Sequence, residues 1–116
     1  MVHIKRLQEE NFEILVVIGE IDASSSIELD LAIAKSVGDG YRKILVDCHA
    51  LEYISSAGLG VFMSYIEEFK EKGILMVLFG MSEKVAHTFS ILGLSELLNI
   101  ASSKEEAKQR IHELSV

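Results

Sequence analysis

The 116-residue chain contains no proline. The commonest markers of domain boundaries and helix ends are therefore missing, and helix ends rest on Gly and Ser alone. Cysteine occurs once, at Cys48. An internal disulfide is excluded, and a reducing compartment is the simplest inference. With only His49 beside it, Cys48 reads as a small apolar residue at a strand end rather than an activated thiolate. No segment approaches the roughly 20 apolar residues of a membrane span. The start, Met1-Val2-His3-Ile4-Lys5-Arg6, turns polar too soon for a signal peptide. A cytoplasmic location is expected, with no membrane partner. The 11 Lys and Arg are unclustered and outnumbered by 18 Asp and Glu, for a formal charge of -7. That balance argues against nucleic acid as a partner and is repelled by an anionic membrane surface.

Catalytic patterns are equally scarce. A nucleophile elbow needs Gly-x-Ser-x-Gly, and around Ser56 Ile54 stands where the first glycine belongs. In Gly58-x-Gly60-x-x-Met63 the third glycine of a dinucleotide fingerprint is a bulky methionine, and the preceding strand ends too early. There is no Walker A lysine motif. His3, His49, His87 and His112 are scattered, and Cys48-His49 supplies at most two ligands, so no zinc site is read. The chain is taken as a non-enzyme without a cofactor.

What is present is ordinary globular material. Hydrophobic residues make up 49% of the chain, enough for one respectable core, and residues 1–116 read as one domain. Ile4–Leu7 and Glu13–Ile18 read as strands joined at Glu9-Glu10-Asn11, with Gly19-Glu20-Ile21-Asp22 as a break. Ser24, Ser25 and Ser26 offer caps for a helix with Ile27, Leu31 and Ala34 at helical spacing, ending near Gly38 or Gly40. Lys43–Asp47 and Ile74–Phe79 are apolar runs of the kind that lie inside a sheet. Between them a helix from Ser56 to Lys72 carries Leu59, Phe62, Met63, Ile66 and Phe69 as an inward stripe. Ser82 caps a helix with Val85, Phe89 and Leu92, closed by Gly93. Leu97–Ile100 reads as an edge strand. Ser103 and Glu106 form a capping box for a last helix with Ala107, Ile111 and Leu114. The order ββαβαβαβα predicts an α/β fold, with a mixed, mostly parallel five-stranded sheet and about four helices.

The most informative segment runs from Asp47 to Gly60. A buried strand feeds a polar loop that ends in Ser55 and Ser56, and Gly58-Leu59-Gly60 then opens the helix. The free amides of a first helical turn favour an anion, including a phosphate, so a serine here suits modification better than nucleophilic attack. The serines also fit plain capping roles. Gly58 and Gly60 each cost a helix about 1 kcal/mol relative to alanine, which points to backbone exposure or close approach. Val61 and Tyr65, on the face that carries Gly58, either broaden the core face or form an exposed docking strip beside the serines.

These residues resemble the STAS domain family, specifically bacterial anti-sigma-factor antagonists. The resemblance lies in Gly19-Glu20-Ile21-Asp22, in the Asp47 strand followed by Tyr53-Ile54 and Ser56-Ala57-Gly58-Leu59-Gly60, and in Leu92-Gly93-Leu94 before the capped last helix. It implies a protein that binds an anti-sigma factor when unmodified and so frees the sigma factor. It further implies that the anti-sigma factor, often a serine kinase, phosphorylates a serine at the start of the second helix, and that a Ser/Thr phosphatase reverses this. By position the acceptor is Ser56, with Asp22 near it. Taken together with the reading of the helix start, partner contacts are expected through Asp22, Ser55, Ser56, Gly58, Val61 and Tyr65. Two positions depart from the family pattern. Ser55 stands where an aspartate is common, which makes it a rival acceptor, and Ala57 stands where Ser or Thr is common. The alternative reading is a STAS docking subunit of a transporter or lipid-handling complex without a phosphate switch.

Overall fold

The computed structural model describes residues 1–115. In chain order the elements are β1 (Val2–Glu9), β2 (Phe12–Ile21), α1 (Ser26–Gly38), β3 (Lys43–Asp47), β4 (Leu51–Ile54), α2 (Ser56–Ser64), α3 (Ile66–Lys72), β5 (Leu75–Phe79), α4 (Glu83–Ile91), α5 (Leu94–Leu97), β6 (Asn99–Ala101) and α6 (Lys104–Leu114). The α/β class and the mixed, mostly parallel sheet match the sequence reading. β1 pairs antiparallel with β2, and all other pairings are parallel, in the order β1-β2-β3-β5-β6.

The sheet has six strands rather than five. The extra one, β4, lies in what reads as a loop. It pairs with the far end of β2, beyond β3. Gly19 makes this possible instead of ending β2. Its φ of 101° coincides with the register shift between Gly19 and Glu20, and a Cβ there would sit 2.4 Å from the Met1 carbonyl oxygen. β2 therefore runs on to Ile21 and carries Asp22 to the end of β4.

The larger core lies on the face covered by α1 to α5, the smaller on the face covered by α6. Four expected inward stripes need correction. In α1 the buried residues are Leu29 and Ile33, while Ile27 and Leu31 are 63% and 64% exposed and Ala34 faces out with them. Both sets share helical spacing. The choice follows from Glu13, a buried carboxylate on β2 that needs donors. Ser36, on the Leu29–Ile33 face, donates to it at 2.9 Å, and Arg6 pairs with it from β1. In the α2–α3 segment Met63 is exposed and Tyr65 is buried, because α2 turns its Gly58, Leu59 and Phe62 side to the core and ends at Tyr65, where α3 begins. Leu92 and Leu114, expected inside, are about half exposed.

The capping signals fare better at α4 and α6 than at α1, whose N-cap Ser25 makes no side-chain cap bond. Ser82 and Ser103 each accept a backbone N–H three residues on. Cys48 is fully buried after β3, and burial, aided by Asp47, pushes its thiol up to about 12. No described helix is long and apolar enough to cross a membrane.

Candidate functional site

The carboxyl ends of β2 and β4 lie side by side, with Ile21 opposite Ile54. Each strand hands the chain directly to a helix, α1 or α2, and the two helices pack together. Two helix starts therefore share one end of the sheet. A backbone bond ties the handovers together, Ser55 N–H donating to the Ile21 carbonyl at 2.8 Å.

The adjacent serines have different surroundings. Ser55 is the half-buried N-cap of α2, and its Oγ accepts the Gly58 N–H at 3.2 Å. Ser56 is exposed and is the first helical residue. Among the described residues no hydrogen bond engages its hydroxyl. Leu59 N–H donates to the Ser55 carbonyl at 3.0 Å. Of the four starting amides, those of Ser56 and Ala57 are left for solvent or an incoming group.

Gly58 and Gly60 answer different needs. A Cβ on Gly58 would lie 2.7 Å from Ile21 Cγ2 and 2.8 Å from Ile54 Cγ1, so this glycine lets α2 close onto the strand ends. Gly60 is exposed and has nothing within 4 Å of its Cβ position. Its bare backbone faces outward.

Asp22 stands one residue beyond the Ile21 carbonyl that holds Ser55. Its carboxylate accepts the Ser25 N–H at 2.8 Å and the Ser24 and Ser25 hydroxyls at 2.9 Å each, while its own N–H donates to Ser25 Oγ at 2.8 Å. The backbone bond from Ser25, followed by the two hydroxyl bonds, lowers its pKa to about 2. Among the described residues it makes no direct bond to Ser55 or Ser56. Its first task is to shape the turn into α1. Ser24 and Ser25 as its holders escaped the sequence reading, although Asp22-x-x-Ser25 has the spacing of a reciprocal cap.

The strip of Val61 and Tyr65 does not exist as an exposed surface. Val61 is half-buried against the core, and Tyr65 is 8% exposed. The Tyr65 hydroxyl donates to the Asp30 carboxylate and, at 3.3 Å, to the Asp30 carbonyl, which joins the α2–α3 junction to α1. A tyrosine is buried readily only where its hydroxyl finds such a partner. Desolvation and that carboxylate raise its pKa.

His49 Nδ1 lies 2.8 Å from Asp47 Oδ1, an exposed local pair beyond β3, and among the described residues no serine joins it. No group of three or more His, Cys, Asp or Glu suited to a metal occurs among the described residues.

A model of the STAS domain matches residues 3–107. The chain is 30% identical over 106 residues to the anti-sigma-B factor antagonist of Listeria monocytogenes, covering 90% of this chain and 91% of that protein. Among solved structures, an anti-sigma factor antagonist from Mycobacterium paratuberculosis superposes with a TM-score of 0.81 at 22% identity, covering 97% of this chain and 95% of the other. The anti-sigma factor antagonist SpoIIAA in its unphosphorylated form gives 0.75 at 20% identity over 97% of each chain. The phosphorylated form of SpoIIAA, from Bacillus, gives 0.67 at 19% identity, over 96% of this chain and 99% of that one.

Proposed function

The chain belongs to the STAS domain family, and from that membership we propose that it acts as an anti-sigma-factor antagonist in the cytoplasm. In this reading residues 1–116 work as one unit without catalysis or cofactor. The unmodified form binds an anti-sigma factor that is itself a serine kinase, and the sigma factor is released. Phosphate on Ser56 blocks the contact, and a Ser/Thr phosphatase restores it. Support for the antagonist role comes from relatives of that name aligned over nearly the whole chain.

The observation that carries the switch is the division of labour between the serines. Ser55 spends its hydroxyl on the cap, whereas Ser56 is exposed beside two open amides. That favours Ser56 over Ser55 as acceptor without the aspartate common at position 55. A phosphate adds about -1.5 to -2 charge to a surface that must be desolvated on docking, a cost of several kcal/mol unless a cation meets it. About 2.8 kcal/mol already weakens binding 100-fold.

The test is to incubate the purified chain with the kinase-type anti-sigma factor of the same genome and ATP, map the phosphate, and titrate the two proteins by calorimetry. Phosphate on Ser56, binding weakened about 100-fold by Ser56→Asp and preserved in Ser56→Ala are the expected results. Phosphate on Ser55 with Ser56 clean overturns the assignment. Equal affinity for wild type and Ser56→Asp removes the charge mechanism.

A further inference from the structure

Helix α1 is apolar on both sides. Leu29 and Ile33 fill the core, and Ile27, Leu31 and Ala34 form a second stripe, at i, i+4 and i+7, that nothing in the fold covers. The stripe borders the switch. Asp30, which receives Tyr65 from the α2–α3 junction, marks the flank of α1 turned toward α2, and at 100° per residue Ala34 and Ile27 come next around the helix. On α2 the outward positions are Ser56, Ala57, Gly60, Met63 and Ser64, small residues except for Met63, which is 46% exposed. Next outward from Tyr65 on α2 come the small, exposed Ala57 and Ser64, whereas Met63 lies on the opposite flank, and α1 and α2 both begin at the end of the sheet that carries Ser56.

The side-chain charges of this end are predominantly acidic, with the Met1 ammonium as a positive charge close to Asp22. Residues 7–34 and 44–69, which build β2, most of α1, β4 and α2, contain no Lys or Arg. Glu20, Asp22, Glu28, Asp30 and Glu52 are exposed there. The first cation along α1 is Lys35, in its last turn. A second copy of this chain would bring the same acidic border to the same apolar stripe, and like charges across a contact disfavour it.

We propose that the outward stripe of α1 (Ile27, Leu31 and Ala34) is the apolar half of the partner surface, and that its occupant is a protein face of apolar residues edged by Lys or Arg. The inference rests on the antagonist reading and names the chemistry its partner must show. Apolar burial at the centre supplies affinity, and the acidic border selects and steers a basic edge. Phosphate on Ser56 acts at the rim of this surface without disturbing the stripe.

The experiment is calorimetric titration of the purified anti-sigma factor into four proteins: wild type, Ser56→Asp, the pair Ile27→Ser/Leu31→Ser, and the pair Ile91→Ser/Leu97→Ser. The last pair is as exposed as the first but lies on α4 and α5. The α1 pair should melt like wild type yet bind about tenfold or more weakly, and the control pair should bind as wild type. Wild-type affinity should fall as salt rises from about 0.05 to 0.3 M. If Ser56→Asp loses binding while the α1 pair keeps it, the stripe is not the docking face and the switch stands alone. If wild type does not bind, the antagonist reading fails, and this inference with it. Sedimentation showing a wild-type dimer that the α1 pair abolishes would assign the stripe to a second copy and overturn the proposal.

Discussion

Two ends of the sheet expose apolar surface, and they differ in what stands beside it. At one end α1 and α2 begin, with open amides, an unengaged hydroxyl on Ser56 and no Lys or Arg in residues 7–34 and 44–69 that build it. At the other, β5 and β6 begin and α3 ends. There Ile66, Phe69, Leu97 and Leu114 line a cleft of about 530 Å³ whose edge mixes Glu67, Lys70 and Glu96. The second end has a hollow and no hydroxyl or open amide aimed into it. The first has several groups that favour an anion or a basic edge. Exposed leucine by itself therefore does not locate function in this molecule. The neighbouring amides, hydroxyls and charges do.

The comparison breaks most sharply at Tyr65, which ties α2–α3 to α1 at the switch end. Tyr65→Ala removes a buried ring and leaves Asp30 without its donor, and should cost about 3–5 kcal/mol in denaturant unfolding. Tyr65→Phe should cost about 1 kcal/mol. Leu97→Ala at the cleft, 59% exposed, should stay within about 0.5 kcal/mol. A Tyr65→Ala protein as stable as wild type would mean that the two helices are held by something other than this contact.

Gly58 and Gly60 sharpen it within one helix turn. Gly58→Val drives carbon into Ile21 and Ile54 and should destabilise by about 1–3 kcal/mol. Gly60→Ala meets nothing and should stabilise by up to about 1 kcal/mol, while weakening partner binding if the partner reaches the bare backbone. Equal melting shifts for the two variants would undo this division.

Asp22 gives the comparison a pH axis. Its folded pKa, about 2, lies below the ordinary carboxylate value. Its contribution is therefore present above about pH 4 and fades as pH falls toward 2, where the carboxylate protonates in the folded state as well. Between those values Asp22→Asn should flatten part of the acid limb of the melting temperature against pH. An unchanged limb would show that the three bonds it accepts do not stabilise the turn.

How much of this could be read from the residues depended on whether a local signal had a rival. The serines were legible because Gly58 and Gly60 set them apart from Ser82 and Ser103. The mostly parallel, mixed character of the sheet was legible from apolar runs spaced by helices. β4 was not, because four residues after a tight loop carry no period, and only the kink at Gly19 brings β2 to meet them. The outer stripe of α1 read as the inner one because both share the spacing. Only the buried Glu13, which demands Ser36, decides between them. Without proline or glycine at the break, α2 and α3 read as one helix, whose stripe took in Met63 and left Tyr65 between the core face and an exposed strip.

The smallest expected effect is that of phosphate on the fold. At Ser56 it meets the positive end of α2 and two open amides, worth about 0.3–1 kcal/mol when exposed. Against this stands repulsion from Asp22 and the other acidic residues of the same end, screened because both partners face water. The two effects are similar in size, so their sum should stay below about 1 kcal/mol, which moves the melting temperature by no more than roughly 4 °C in a domain of this length. The same group should cost several kcal/mol when a partner must desolvate it. Calorimetric melts of the phosphorylated and free protein at low and moderate salt test the separation. Near-coincident melts at both salt concentrations fit a switch that acts through the surface. A drop of about 8 °C or more would mean that the phosphate works by loosening α2 from the ends of β2 and β4, and the distinction between a rigid switch end and an inert cleft end would then fall.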